Sequence, residues 1–163
     1  MTQTHLFGEP DIITKKIFLQ TIEPKVKREI VREDAPAWVT TRFTAPRTIF
    51  EMFKGLINET KELFITLHLD GKNRILCMET VSVGSLNQSI VHPREVFKTA
   101  LLSNAAALLL IHNHPTGDPS PSNEDRNITQ RLCECGDLMG IKVLDHIIIG
   151  DNDYLSFVEK GLM

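Results

Sequence analysis

The chain has 163 residues, 42% of them hydrophobic and 24% charged. That is one domain of ordinary composition, large enough to bury roughly two-thirds of its unfolded surface without disulfides or a structural metal. Eighteen Lys+Arg against 21 Asp+Glu leave a formal charge of −3, which opposes a broad electrostatic footprint on nucleic acid or an anionic membrane. Cys77, Cys133 and Cys135 have neither zinc-ribbon nor redox spacing, and the first residues lack the basic-then-apolar layout of a signal peptide. The longest apolar run, residues 105–111, is far short of the ~20 residues of a membrane span. The expectation is a reducing, cytoplasmic setting with no membrane partner.

Residues 1–45 read as an N-terminal arm. A strand is expected over 16–22, followed by a mixed-charge stretch, 23–34, in which Lys25, Lys27, Arg28 and Arg32 are opposed by four acids. A solvated arm and a nucleic-acid or partner contact are both open readings of it. From residue 46 to 163 the signals are regular. Pro46 opens an amphipathic helix through Ile49, Phe50, Phe53, Leu56 and Ile57. From Glu62, residues Leu63, Ile65, Leu67 and Leu69 alternate with Phe64, Thr66 and His68 up to an Asp70-Gly71 turn, and the returning strand is expected over 74–83, before a Gly84-Ser85-Leu86-Asn87 loop. Pro93 begins a helix through Val96, Phe97, Ala100 and Leu101, and 105–111 is the next strand. Pro115, Gly117, Pro119 and Pro121 break regular structure until Ser122, after which Ile128, Leu132 and Leu138 mark a long helix ended by Gly140. A strand over 141–149 turns at Gly150-Asp151-Asn152 into a last one over 154–158. This order predicts an α/β fold: a mixed, mostly antiparallel sheet flanked by helices.

The densest polar cluster, His112-Asn113-His114-Pro115-Thr116-Gly117-Asp118, follows the most apolar segment. In extended backbone residues i and i+2 share a face, so both imidazoles project the same way while Asn113 points elsewhere. Alone, His-x-His fits a ligand pair or a polar loop equally well. A catalytic zinc takes three protein ligands and leaves the fourth position to water. Asp125 is the candidate third ligand, because a short proline-rich loop brings the helix that it opens back over the strand end. Ser122 and Asp125 also form a capping-box pattern, and a first-turn carboxylate suits the helix dipole with or without metal. The two roles are compatible.

His112-x-His114, seven residues, Ser122, two residues, Asp125 resembles the metal-binding signature of the JAMM (MPN-type) metallopeptidases. The flanks resemble their RadC-like branch: His92-Pro93-Arg94-Glu95-Val96, the central loop from His112 to Pro119, and Asp145-His146-Ile147-Ile148-Ile149-Gly150. Together these span roughly residues 46–163. The resemblance implies a cytidine-deaminase-like sandwich and a hydrolase of peptide, isopeptide or related amide bonds, holding one Zn(2+) per chain. It makes His112, His114 and Asp125 the zinc ligands. Ser122 would orient the attacking water or steady the oxyanion. A glutamate at the junction of the first helix and the next strand would be the general base: Glu62, with Glu59 as the fallback. Asn113, Asp118, Asp145 and His146 are further candidates for supporting the ligands or meeting substrate. Asp145 and His146, adjacent on a strand, face two ways, and a structural pair at the sheet edge is the other reading of them.

The chain departs from the branch at Thr116, where serine is more usual and the hydroxyl is kept. The 45 residues ahead of the domain do not look like the small helical domain common there. That absence and the charge of −3 weigh against the branch's association with DNA repair, which stays an alternative beside a non-catalytic MPN-type binding module. The implied partner is a peptide or protein substrate, and a homo-oligomer is compatible with the sequence. A metallo-β-lactamase pattern would need Asp at 116 and His at 117, and a zinc deaminase would need His-x-Glu with Cys-x-x-Cys. Neither is present. Cys133 and Cys135 sit about 200° apart on their helix and cannot share an ion, so they are read as reduced structural thiols. His5, His68 and His92 are expected at the surface.

Overall fold

The computed structural model describes residues 20–21, 42–84 and 91–163. Most of the expected strand over 16–22, all of the 23–34 stretch, His5, and the loop from Ser85 to Asn87 lie outside the described residues. Pro46 at the first helical position starts α1, Pro46–Phe53, whose Ile49, Phe50 and Phe53 are buried. The helix is shorter than the periodicity implies, because Lys54–Asn58 tightens into a 3-10 turn. Then follow β1 (Glu62–Leu69), β2 (Ile75–Gly84), α2 (Pro93–Leu102), β3 (Ala107–Asn113), α3 (Asn123–Met139), β4 (Lys142–Ile149) and β5 (Tyr154–Ser156).

The five strands form one sheet in the order β2-β1-β3-β4-β5. Only the β3–β4 pair is parallel. A parallel connection needs a crossover, and α3 supplies it. The expected mixed, mostly antiparallel α/β architecture is therefore present. On one face α1 packs on Ile65, Leu67, Leu69, Leu109, Ile111, Ile147 and Ile149. On the other, α2 and α3 cover Phe64, Leu108, Leu110 and Val143 through Val96, Phe97, Ala100 and Leu132. Burying each such side chain is worth about 1.5–3 kcal/mol, so β3, sealed along its whole length, anchors the fold from the centre of the sheet. Among the described residues no helix is long and apolar enough to cross a membrane.

Two expectations are corrected here. β3 starts and ends two residues later than expected, and His112 and Asn113 belong to it, because Phe64 pairs with His112 and Asn113 with Ile149. His68 is fully buried rather than exposed. Its Nε2 lies 3.2 Å from Thr66 Oγ1 and its Nδ1 2.8 Å from Ser103 Oγ, which satisfies both ring nitrogens. Burial pushes the imidazole pKa down to about 4 from 6.5. The unfolded chain therefore takes up this proton first, so the stability tied to neutral His68 is complete above about pH 6.5 and is lost as pH falls toward 4. A His68→Gln variant is expected to lose thermal stability less steeply than wild type across that interval. Equal slopes in a melting series would show that another group sets the acid limb.

Candidate metal centre

The site lies where β3 leaves the sheet and α3 begins. Ser122 is the N-cap of α3: its hydroxyl accepts the Asp125 N–H at 3.1 Å, and Asp125 Oδ2 accepts the Ser122 N–H at 2.7 Å. This reciprocal capping box directs the Asp125 carboxylate back toward the helix start, where it is fully buried. Ser122 Oγ also donates to Asp125 Oδ2 at 2.7 Å. The loop between β3 and α3 is held down at Gly150. A Cβ there would lie 2.5 Å from the Gly117 carbonyl oxygen and 2.6 Å from Pro119 Cδ, so only glycine lets the loop close over the strand end.

His112, His114 and Asp125 converge, each offering one ligand atom, all within 4.8 Å of one another. His112 Nε2 lies 3.0 Å from His114 Nε2 and 3.2 Å from Asp125 Oδ1, and His114 Nε2 lies 3.5 Å from Asp125 Oδ2. His114 Nδ1 donates to the Asp118 carbonyl oxygen at 2.7 Å. A carbonyl only accepts, so a neutral His114 presents a lone pair at Nε2. Asp125 Oδ1, sealed from solvent, meets no hydrogen-bond donor in proper geometry among the described residues. A buried carboxylate oxygen left without a donor costs free energy that a cation would offset. Two imidazoles and a carboxylate form a donor set that suits zinc, so the residues fit the ion that the sequence pattern implies. Burial opposes charge on Asp125, yet the His112 and His114 imidazoles beside it hold the carboxyl far below the usual range. Burial lowers His112. It also opposes a charged His114, but the Asp125 carboxylate beside it turns that balance upward.

Glu62 opens β1 two residues before Phe64, the partner of His112, and so stands on the same face. It is close enough to act electrostatically on both His112 and His114. Together with Thr60, Lys61, Gly84 and Pro115 it lines a cleft of about 310 Å³ at the sheet end. Glu59 is exposed at the end of the 3-10 turn. A larger hollow of about 420 Å³ between α3 and the start of β4, lined by Arg126, Cys133, Asp137 and Lys142 among others, holds none of these groups.

The other candidates take specific places. Asn113 turns away from the histidines, as expected, and ties down the Glu62 junction. Its Oδ1 accepts the Leu63 N–H at 2.8 Å, and its Nδ2 donates to the Leu56 and Lys61 carbonyls at 3.2 and 3.0 Å. Asn113→Ala would strand those part-buried partners and is expected to cost about 1–3 kcal/mol. Chemical denaturation checks this, and a loss under about 0.5 kcal/mol would show that the three bonds are dispensable. Asp118 meets His114 through its backbone carbonyl, while its carboxylate accepts the Ser120 N–H. Asp145 and His146 do face two ways, but on the interior strand β4 rather than at an edge. Asp145 accepts from Ser156 Oγ at 2.6 Å and from the Val158 N–H at 3.1 Å, tying β4 to the turn after β5. His146 reaches His112.

Comparison with known proteins gives the family. The RadC-like JAB domain family matches residues 43–162. The chain is similar to proteins named UPF0758 protein: 63% identical over 123 residues to that of Geotalea uraniireducens, 61% over 123 to that of Pelobacter propionicus, and 52% over 123 to that of Methanosarcina mazei. Each alignment covers 75% of this chain and 54% of the relative, so the chain spans about half the length of the curated relatives it matches.

Proposed function

The chain belongs to the RadC-like JAB domain family, and we propose that it is a zinc-dependent hydrolase of a peptide, isopeptide or related amide bond. The reading is carried by the convergence of His112 Nε2, His114 Nε2 and a buried Asp125 carboxylate with one undonated oxygen. These three residues would hold one zinc. Zinc supplies Lewis acidity, lowering the pKa of water toward neutrality and polarising an amide carbonyl.

The chain's own groups do the rest. Glu62 takes a proton from the water whose oxygen adds to the amide carbon, and returns that proton to the nitrogen as the carbon–nitrogen bond breaks. The Ser122 hydroxyl lies at the Asp125 carboxylate, where it can turn from Oδ2 to the developing oxyanion. The Asp118 carbonyl and the Asn113 bonds hold His114 and the Glu62 junction in place before substrate arrives. The substrate would be a peptide or protein segment entering along the cleft beside Glu62.

The test is metal analysis of the purified chain, followed by incubation with a broad panel of peptides and isopeptides. About one zinc per chain and cleavage that a chelator abolishes are expected. A chain with no affinity for zinc overturns the reading, and zinc retained without any cleavage makes the domain a metal-holding binding module.

A further inference from the structure

A third imidazole stands behind the ligand pair. His146 is fully buried, stacked on the Phe157 ring with centroids 4.8 Å apart and met edge-on by Phe64 at 5.6 Å. Its Nε2 lies 2.8 Å from His112 Nδ1, and its Nδ1 lies 2.5 Å from Thr129 Oγ1. Thr129 Oγ1 is also 2.6 Å from the Asp125 carbonyl oxygen, one helical turn back.

Each of these close contacts needs a hydrogen between its heavy atoms. The Asp125 carbonyl has none to give, so the single hydroxyl proton of Thr129 goes there. The hydroxyl then only accepts from His146, and the hydrogen on that contact belongs to His146 Nδ1. A neutral His146 carries no second proton, so the hydrogen between the two rings belongs to His112 Nδ1. His112 is left with a bare lone pair at Nε2, the atom that faces His114 and Asp125. The opposite placement leaves the contact between hydroxyl and carbonyl without a hydrogen, whereas this one leaves bare only the 3.0 Å approach of His112 Nε2 to His114 Nε2 and the approach of both to Asp125, the gap between ligand atoms that an ion would fill.

We propose that Thr129 and His146 are positioning residues that set the tautomer of His112, so that its Nε2 is presented as a ligand before any metal arrives. The proposal rests on the zinc reading, which gives the relay its purpose and leaves the approach of His112 Nε2 to His114 Nε2 to an ion rather than to a hydrogen. His114 receives the same treatment from the Asp118 carbonyl, so both imidazoles are prepared by backbone carbonyls, one directly and one through two side chains.

The test compares wild type, Thr129→Val and Thr129→Ser, using nitrogen NMR of labelled histidines in the metal-free chain and zinc affinity by chelator competition. Wild type and the serine variant are expected to show His112 protonated at Nδ1 and affinities within a few-fold of each other. Valine keeps the shape but removes the acceptor, so His146 moves its proton to Nε2 and His112 follows. Zinc affinity is then expected to fall roughly 10–100-fold, as for other partners that orient metal ligands. Wild-type His112 protonated at Nε2, or a valine variant with unchanged tautomer and affinity, overturns the proposal. A wild-type chain that binds no zinc yet carries its His112 proton on Nδ1 supports the relay and overturns the zinc reading alone.

Discussion

Replacing Asp125 with asparagine is expected to abolish zinc uptake while the domain still folds. Asparagine keeps the side-chain oxygen that accepts the Ser122 N–H, so the capping box survives. The loss of negative charge at the start of α3 costs only about 0.3–1 kcal/mol. What goes is the buried anion that offsets a dication beside two imidazoles. Removing a ligand should weaken binding by more than the roughly 10–100-fold typical of partners behind the ligands. The difference is also visible in stability. Zinc at a hundredfold excess over its dissociation constant stabilises a folded chain by about 2.7 kcal/mol, a rise of roughly 5–10 °C in melting temperature for a protein of this size. Wild type should show that rise and Asp125→Asn should not. Calorimetric titration and paired melts with and without zinc decide it, and a variant that binds zinc like wild type would remove Asp125 from the ligand set. Asp125→Ala is the harsher control, since it also removes the carboxylate half of the capping box, the acceptor of the Ser122 N–H.

The ligand triad is legible in the sequence because its members are close in the chain and obey local rules. Two histidines flank Asn113 where one strand ends, and Asp125 sits at the third position of a helix whose cap, Ser122, is itself a sequence signal. What surrounds the triad is not legible in the same way. Asn113 reaches Leu63 across 50 positions and His146 reaches His112 across 34. No spacing rule joins such pairs; only the register of β1, β3 and β4 does. The same limit explains why β3 runs on past its apolar core and why His68 is buried against expectation. Polarity marks a residue as loop or surface when its partners are unseen, yet His112, Asn113 and His68 all find hydrogen-bond partners inside the sheet layer. The mixed, mostly antiparallel sheet follows from pattern, because hairpins and a crossover helix leave few arrangements. Buried polar side chains follow from contacts that exist only once the sheet has formed.

The remaining large effect concerns chemistry rather than metal. Glu62→Gln is expected to leave zinc affinity within a few-fold of wild type and to lower amide hydrolysis by about 10²–10⁴-fold, the usual range for loss of a general base. Glutamine matches glutamate in size and length, so β1 and the cleft it shares with Pro115 keep their shape. Asn113, which holds the neighbouring Leu63 and Lys61, keeps residue 62 in place in the variant as in wild type. A fall in rate at constant zinc content therefore reports on the carboxylate itself. Glu59→Gln is the matched control: Glu59 is exposed at the end of the 3-10 turn, and its variant should retain wild-type rates. If Glu62→Gln keeps the wild-type rate while Glu59→Gln loses it, the base is Glu59, the other glutamate of the same junction. Comparing cleaved termini and isopeptide products across a proteome, wild type against Glu62→Gln, reads the same effect without a chosen substrate. Products that vanish with Glu62 while zinc stays bound would tie the cleavage to this site and identify the bond it breaks.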